Sequence, residues 1–153
     1  MIQYLLLFTS IACTSTFADA AIYITLVEHA SRLELSPSAA RDQFKISYPK
    51  AAKVQSTLAS ISALTSVLNL IFFNNTWVEI FAIALNAVTM VGIYLLTISV
   101  IMPTNKKLLS NETLTDVQVK GFLKFWDQKH NFRTLASTLS TLTLFVVYLS
   151  QNH

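Results

Sequence analysis

A chain of 153 residues that is 53% hydrophobic, only 12% charged and positive in mean hydropathy (+0.51) lies far from the composition of a soluble domain. Long apolar runs with only 2 glycines and 3 prolines point to membrane helices and against a β-barrel. The net charge of +3 comes from residues scattered through two loops beside apolar runs, which speaks for topology and against nucleic acid, and the single cysteine, Cys13, excludes an intramolecular disulfide.

Four apolar runs follow one another, at about residues 4–27, 54–73, 77–102 and 135–149, each long enough as a helix to cross most or all of a hydrocarbon core of about 30 Å. The first lacks a basic leader and continues beyond Ala18-Asp19-Ala20, so it is expected to be retained and not cleaved. Asp19 stands within it, one turn before Tyr23, and is expected to be protonated or hydrogen-bonded inside the bundle. Asn74-Asn75-Thr76 is a short hinge that makes the second and third spans an antiparallel pair, and Pro103 is expected to close the third. Short interfacial helices are expected in both basic loops: Ser38 to Tyr48 after Pro37, and a segment begun by the capping-box spacing Thr115…Gln118 that runs into the fourth span. The sequence therefore predicts one all-α membrane domain, a four-helix transmembrane bundle.

Every lysine and arginine lies in residues 32–53 or 106–133. By the positive-inside rule both basic loops are cytoplasmic and both termini face outward, with a plasma or inner membrane as the expected setting. That topology brings polar residues of all four spans to one depth: Glu28 and His29, Gln55, Asn105, and His130 with Arg133. Trp126, His130 and Arg133 fall at i, i+4 and i+7, on one helical face. Gln55, Ala59, Ser62, Ser66 and Asn69 form a small and polar stripe on the second span, and Asn86, Thr89, Ile93 and Thr97 one on the third. Lipid cannot satisfy amides and hydroxyls, so both stripes should face the interior. Each element also has an ordinary reading, as packing device, interfacial anchor or positive flank; the coincidence of two of the three histidines, a glutamate and an arginine at one level favours a site.

Val27-Glu28-His29-Ala30-Ser31-Arg32-Leu33, Ser47-Tyr48 with Gln55, Pro103-Thr104-Asn105 with Leu108, and Trp126…His130…Arg133 together resemble the anthrone-oxygenase-like membrane protein family. Members commonly carry Glu-His-Pro-Ala-Arg where this chain reads Glu28-His29-Ala30-Ser31-Arg32, so the ionisable pair is kept and the proline is not. The resemblance implies an oxygenase that turns a lipophilic phenol, anthrone or quinol into a quinone with molecular oxygen, and such chemistry needs a base, an anion stabiliser and an apolar pocket. His130 or His29 would be the base, Glu28 its orienting or relay partner and Arg133 the anion stabiliser. Gln55 and Asn105 would hydrogen-bond a carbonyl oxygen and Trp126 would stack on the ring, with Tyr48, Asp19 and Tyr23 as further substrate contacts. No cofactor is required by this scheme. An iron or copper site on His29, His130 and Glu28 is the alternative, opposed by the roughly 100° between adjacent helical residues and by the nearby Arg133. A non-catalytic module binding a lipid or quinone, or an accessory subunit, is the competing class; a homo-oligomer is allowed, and four spans with one mid-membrane acid make a poor transporter.

Overall fold

The computed structural model describes residues 1–150, of Ser150 the backbone alone; His153 and the tip of the C-terminal tail lie outside the described residues. Among the described residues the chain is helical without strands, and four helices are long and apolar enough to cross a membrane. We number them α1 (Ile2–Leu33), α2 (Pro37–Phe72), α3 (Trp77–Leu109) and α4 (Asp116–Ser150). Helix α1 packs on α2 and α4, and α3 packs on the same two, so the helices form a ring in chain order with α1 and α3 on the diagonal. Short connections between consecutive antiparallel helices favour this up-and-down arrangement.

The connections are set by local chemistry. Ser36 caps α2 by accepting from the Ala39 N–H, with Pro37 in the first turn, where its missing N–H costs nothing. Thr76 and Glu79 form a reciprocal capping box at the start of α3, and Asn75 donates to the carbonyls of Asn69 and Phe73 and so ties off the end of α2. The Thr115 N–H bonds to Gln118 Oε1 and the Gln118 N–H to Thr115 Oγ1, the arrangement its spacing predicts.

Two elements differ from expectation. The segment from Ser38 to Tyr48 is no separate interfacial helix but the first part of the 36-residue α2, which passes through Pro49 without ending. Nor does Pro103 close the third span, because α3 continues to Leu109. The reason is a wide π-helical stretch at Thr97–Ile101, immediately before it, whose shifted hydrogen bonding makes room for a ring that would clash in a regular turn. A second π-helical stretch, Ile24–His29, lies in α1. Each such stretch rotates the residues that follow by up to about 100° relative to an uninterrupted helix, and such bulges often accompany functional sites.

Candidate functional site

At the end of the bundle that carries the basic loops, the four helices part around a cavity of about 310 Å³. Its walls come from every helix: Phe17, Ile24, Glu28 and Arg32 from α1; Phe44, Tyr48, Gln55 and Ala59 from α2; Tyr94, Ile98 and Met102 from α3; Trp126, His130 and Arg133 from α4. The i, i+4, i+7 spacing on α4 thus delivers all three of its residues to one wall. The Gln55, Ala59, Ser62, Ser66, Asn69 stripe is buried throughout, with Gln55 and Ala59 at the cavity and the rest below it.

His130 is 1% exposed and lies stacked on Trp126, ring centroids 4.6 Å apart at 10°. Its Nε2 is 3.2 Å from the Ala21 carbonyl oxygen, which can only accept, so Nε2 carries the hydrogen. That leaves Nδ1 as a buried lone pair with no hydrogen-bond partner. Beside it, Arg133 donates through Nη2 to Gln55 Oε1 (3.0 Å) and its guanidinium lies 5.6 Å from the Phe17 ring centre. Arg133 Nε, Gln55 Nε2 and Trp126 Nε1 are buried and unpaired as well. A partnerless buried polar atom costs about 1–3 kcal/mol, so five within the lining residues of one cavity, Arg32 Nε being the fifth, call for a ligand or ordered water.

The α1 side of the wall carries a second polar group, part of it lying behind the lining. Arg32, 1% exposed, donates to the Glu28 carboxylate, to Ser47 Oγ (3.1 Å) and, through Nη1, towards His29 Nδ1 (3.2 Å). His29 therefore accepts at Nδ1 and carries its hydrogen at Nε2, which points at Asp127 Oδ1 from 3.7 Å, beyond hydrogen-bond length. Arg32 also sits 5.3 Å from the Phe44 ring and 5.9 Å from that of Trp126. Asn105 donates to the Tyr48 hydroxyl at 2.6 Å, holding from outside a phenol that lines the cavity.

Of the residues singled out from sequence, Glu28, Tyr48, Gln55, Trp126, His130 and Arg133 line one cavity. His29 and Asn105 are buried one layer behind it, each touching a wall residue. Asp19 and Tyr23 are not brought to it. Both are exposed on the outer face of α1, contrary to the expectation that Asp19 is buried, because Thr14, Phe17, Ala18 and Ala21 occupy the inward face and a helix cannot turn both ways. Among the described residues no three His, Cys, Asp or Glu side chains converge to hold a metal ion, and His29 Nδ1 already faces Arg32. Two contributors escaped the sequence reading. Arg32 reads as a loop cation in the sequence, yet α1 continues through it and it is 1% exposed, three helical turns beyond the buried Ala21 and on the same face. The cavity's α3 wall was marked only by Thr97, the last residue of the third span's polar stripe; Tyr94, Ile98 and Met102 beside it lie outside that stripe.

The family model for anthrone oxygenase matches residues 44–143, well over half of the chain and all of the α2, α3 and α4 cavity wall. No curated protein and no solved structure matches it.

Proposed function

The chain belongs to the anthrone oxygenase family, and from that premise we propose that it is a membrane oxygenase that takes a lipophilic phenol, anthrone or quinol into the cavity at the basic end and oxidises it with molecular oxygen. The observation that carries the reading is the set of unpaired buried atoms around one cavity: one lone pair, His130 Nδ1, among the donors Arg32 Nε, Arg133 Nε, Gln55 Nε2 and Trp126 Nε1. A base among hydrogen-bond donors suits a substrate that loses a proton and leaves an anionic oxygen. The volume is at the small end of the roughly 300–1,000 Å³ usual for ligand pockets and suits a planar ring system.

In this scheme His130 Nδ1 takes the acidic proton, and Arg133 with Gln55 holds the oxygen on which the charge settles. The electron-rich anion gives one electron to dioxygen, and recombination forms a carbon–oxygen bond and a peroxide anion. His130 returns its proton to the distal oxygen. Loss of the second hydrogen from the same carbon then breaks the oxygen–oxygen bond. The sum is methylene plus dioxygen giving carbonyl plus water, with no external reductant. Trp126, held by His130 on one face, supplies a flat wall for the ring. The Nε2–H···O bond to Ala21 fixes the tautomer and the ring's orientation, so that Nδ1 is the nitrogen left to accept a proton. The same proposal places the basic loops on the cytoplasmic side and both termini outside, in a plasma or inner membrane.

The test is oxygen uptake by purified protein supplied with an anthrone, corrected for uncatalysed oxidation. His130→Ala is expected to lower the rate by about 10²-fold or more. If His130→Ala and Arg133→Ala both stay folded and match wild type, the enzymatic reading is wrong and a non-catalytic binding module takes its place.

A further inference from the structure

The cavity does not end at its polar wall. On the side between α2 and α3 it is bounded by Tyr94 and Ile98, which are 47% and 49% exposed on the outside of the bundle, so this side faces lipid. Immediately below, a second cleft of about 160 Å³ runs along the same α2–α3 seam, lined by Ala59, Ser60, Ala63, Met90, Val91 and Tyr94. Ala59 and Tyr94 border both spaces, so the two adjoin as the parts of one recess, with those side chains between them. The two parts differ in chemistry. The upper holds arginine, imidazole and amide groups; the lower has one hydroxyl residue, Ser60, besides the Tyr94 phenol. It exists because small residues stand at i and i+4 on α2, leaving a gap that the neighbouring helix does not fill. From Gln55 to Ala63 it descends about 12 Å, from the level of the basic loops into the apolar part of the bundle.

We propose that this recess is a lateral portal and tail groove: the substrate enters from the bilayer between α2 and α3, and it carries an alkyl or prenyl chain that stays in the cleft while its ring occupies the cavity. The inference rests on the oxygenase reading for the ring and adds the substrate class, an amphiphilic phenolic lipid whose polar end is a ring. Lipid is as apolar as the groove, so the chain gains little hydrophobic free energy by entering it. Its contribution is orientation: a chain lying along Ala59 and Ala63 fixes which edge of the ring meets His130 and Arg133.

The experiment uses the full chain in lipid nanodiscs, carrying Trp77→Phe throughout so that Trp126 is the one tryptophan left, and two stable, product-like probes, a dihydroxyanthraquinone and the same ring bearing a decyl chain, with binding read by quenching of Trp126 fluorescence. Ala63→Phe fills the cleft without touching the cavity lining, and Ser60→Phe does so from an exposed position in case the first variant does not fold. Both variants are expected to bind the bare ring within about twofold of wild type and the decyl ring at least about fivefold more weakly, as overpacking of a filled site implies. Partitioning into the bilayer is common to all three proteins and cancels. Equal binding of the decyl ring by wild type and variants overturns the groove, which then holds an ordinary lipid chain. If wild type binds neither probe, the groove falls together with the reading of the polar cavity; binding of the bare ring separates the two failures.

Discussion

Two buried polar clusters occupy the interior of this bundle, and they are built on opposite rules. Midway along α3, Asn86 is 0% exposed and uses its whole hydrogen-bonding capacity. Its Oδ1 accepts from Thr14 Oγ1 (2.9 Å) and Ser140 Oγ (2.7 Å), and its Nδ2 donates to Ser62 Oγ (2.8 Å) and Ser66 Oγ (2.9 Å). One amide thereby joins all four helices, and Ser10 extends the network to Thr65 and Ser66. Nearer the basic loops, the cavity cluster has comparable burial and more charge, yet His130 Nδ1, Arg133 Nε, Gln55 Nε2 and Trp126 Nε1 have no partner. A membrane bundle uses saturated polar contacts to hold helices together, since no hydrophobic force distinguishes helix from lipid. Unsaturated ones oppose folding and persist where a ligand completes them. The contrast separates clasp from site without reference to the family.

Substituting each cluster by an apolar side chain should pull the two apart. The largest expected effect is at the cavity. Arg133→Leu removes the side chain proposed to stabilise the anion, so anthrone-dependent oxygen uptake should fall about 10²- to 10³-fold. The thermal midpoint in detergent should change little, because the buried charge and unpaired donor that go with it offset the Gln55 Oε1 acceptor left without its partner. A coincident loss of stability would make Arg133 a clasp and erase the distinction. Asn86→Leu is the mirror experiment, with the same branching and the same number of side-chain heavy atoms. It should cost about 2 kcal/mol of stability, allowing for the modest worth of interhelical hydrogen bonds in membranes and for rebonding among the freed hydroxyls. Rate per folded molecule should be kept.

A smaller effect is expected at Arg41, which lies outside both clusters. Its guanidinium donates to the carbonyl oxygens of Leu108 (3.0 Å), Glu112 (2.9 Å) and Ser110 (2.8 Å), closing the end of α3 and the connection to α4 against α2. Cationic donors at a helix C-terminus satisfy carbonyls that the helix cannot. Arg41→Ala should cost about 1 kcal/mol, since the group is half-buried and water replaces some of its partners. Hydrogen exchange of residues 108–115 should quicken with little change elsewhere; a uniform change would mean that Arg41 supports the whole bundle.

What was legible in the sequence follows from what periodicity encodes. Regular helices carry their facing residues at fixed spacings, so Trp126, His130 and Arg133 on α4 and the Gln55 to Asn69 stripe on α2 could be assigned to the interior before any coordinates. The family resemblance, which the match over residues 44–143 bears out, rested on short motifs near the cavity. Irregular backbone was not legible. The π-helical stretches at Ile24–His29 and Thr97–Ile101 have no residue signature, yet the second comes just before the proline through which α3 continues. Arg41 could not be read either, because its partners are backbone carbonyls 66 to 71 residues away, to which any sequence contributes.

The smallest expected effect concerns Asp19, where composition misled most directly. A lone carboxylate inside an apolar run suggests an interior functional group, because charge is costly in hydrocarbon. Helical phase decides otherwise here: with Thr14, Phe17, Ala18 and Ala21 turned inward, positions 19 and 23 share the outer face, and Tyr23 is 59% exposed beside Asp19. Neither lines the cavity, which α1 reaches only through Phe17, Ile24, Glu28 and Arg32. Asp19→Asn and Tyr23→Phe should therefore leave the rate of oxygen uptake within about twofold of wild type, less than 0.5 kcal/mol in the barrier. Loss of about tenfold in either, with the fold intact, would require the outer face of α1 to take part in the reaction. That result would break the rule drawn from the two clusters, since function would then reside where no buried polar atom is left unpaired.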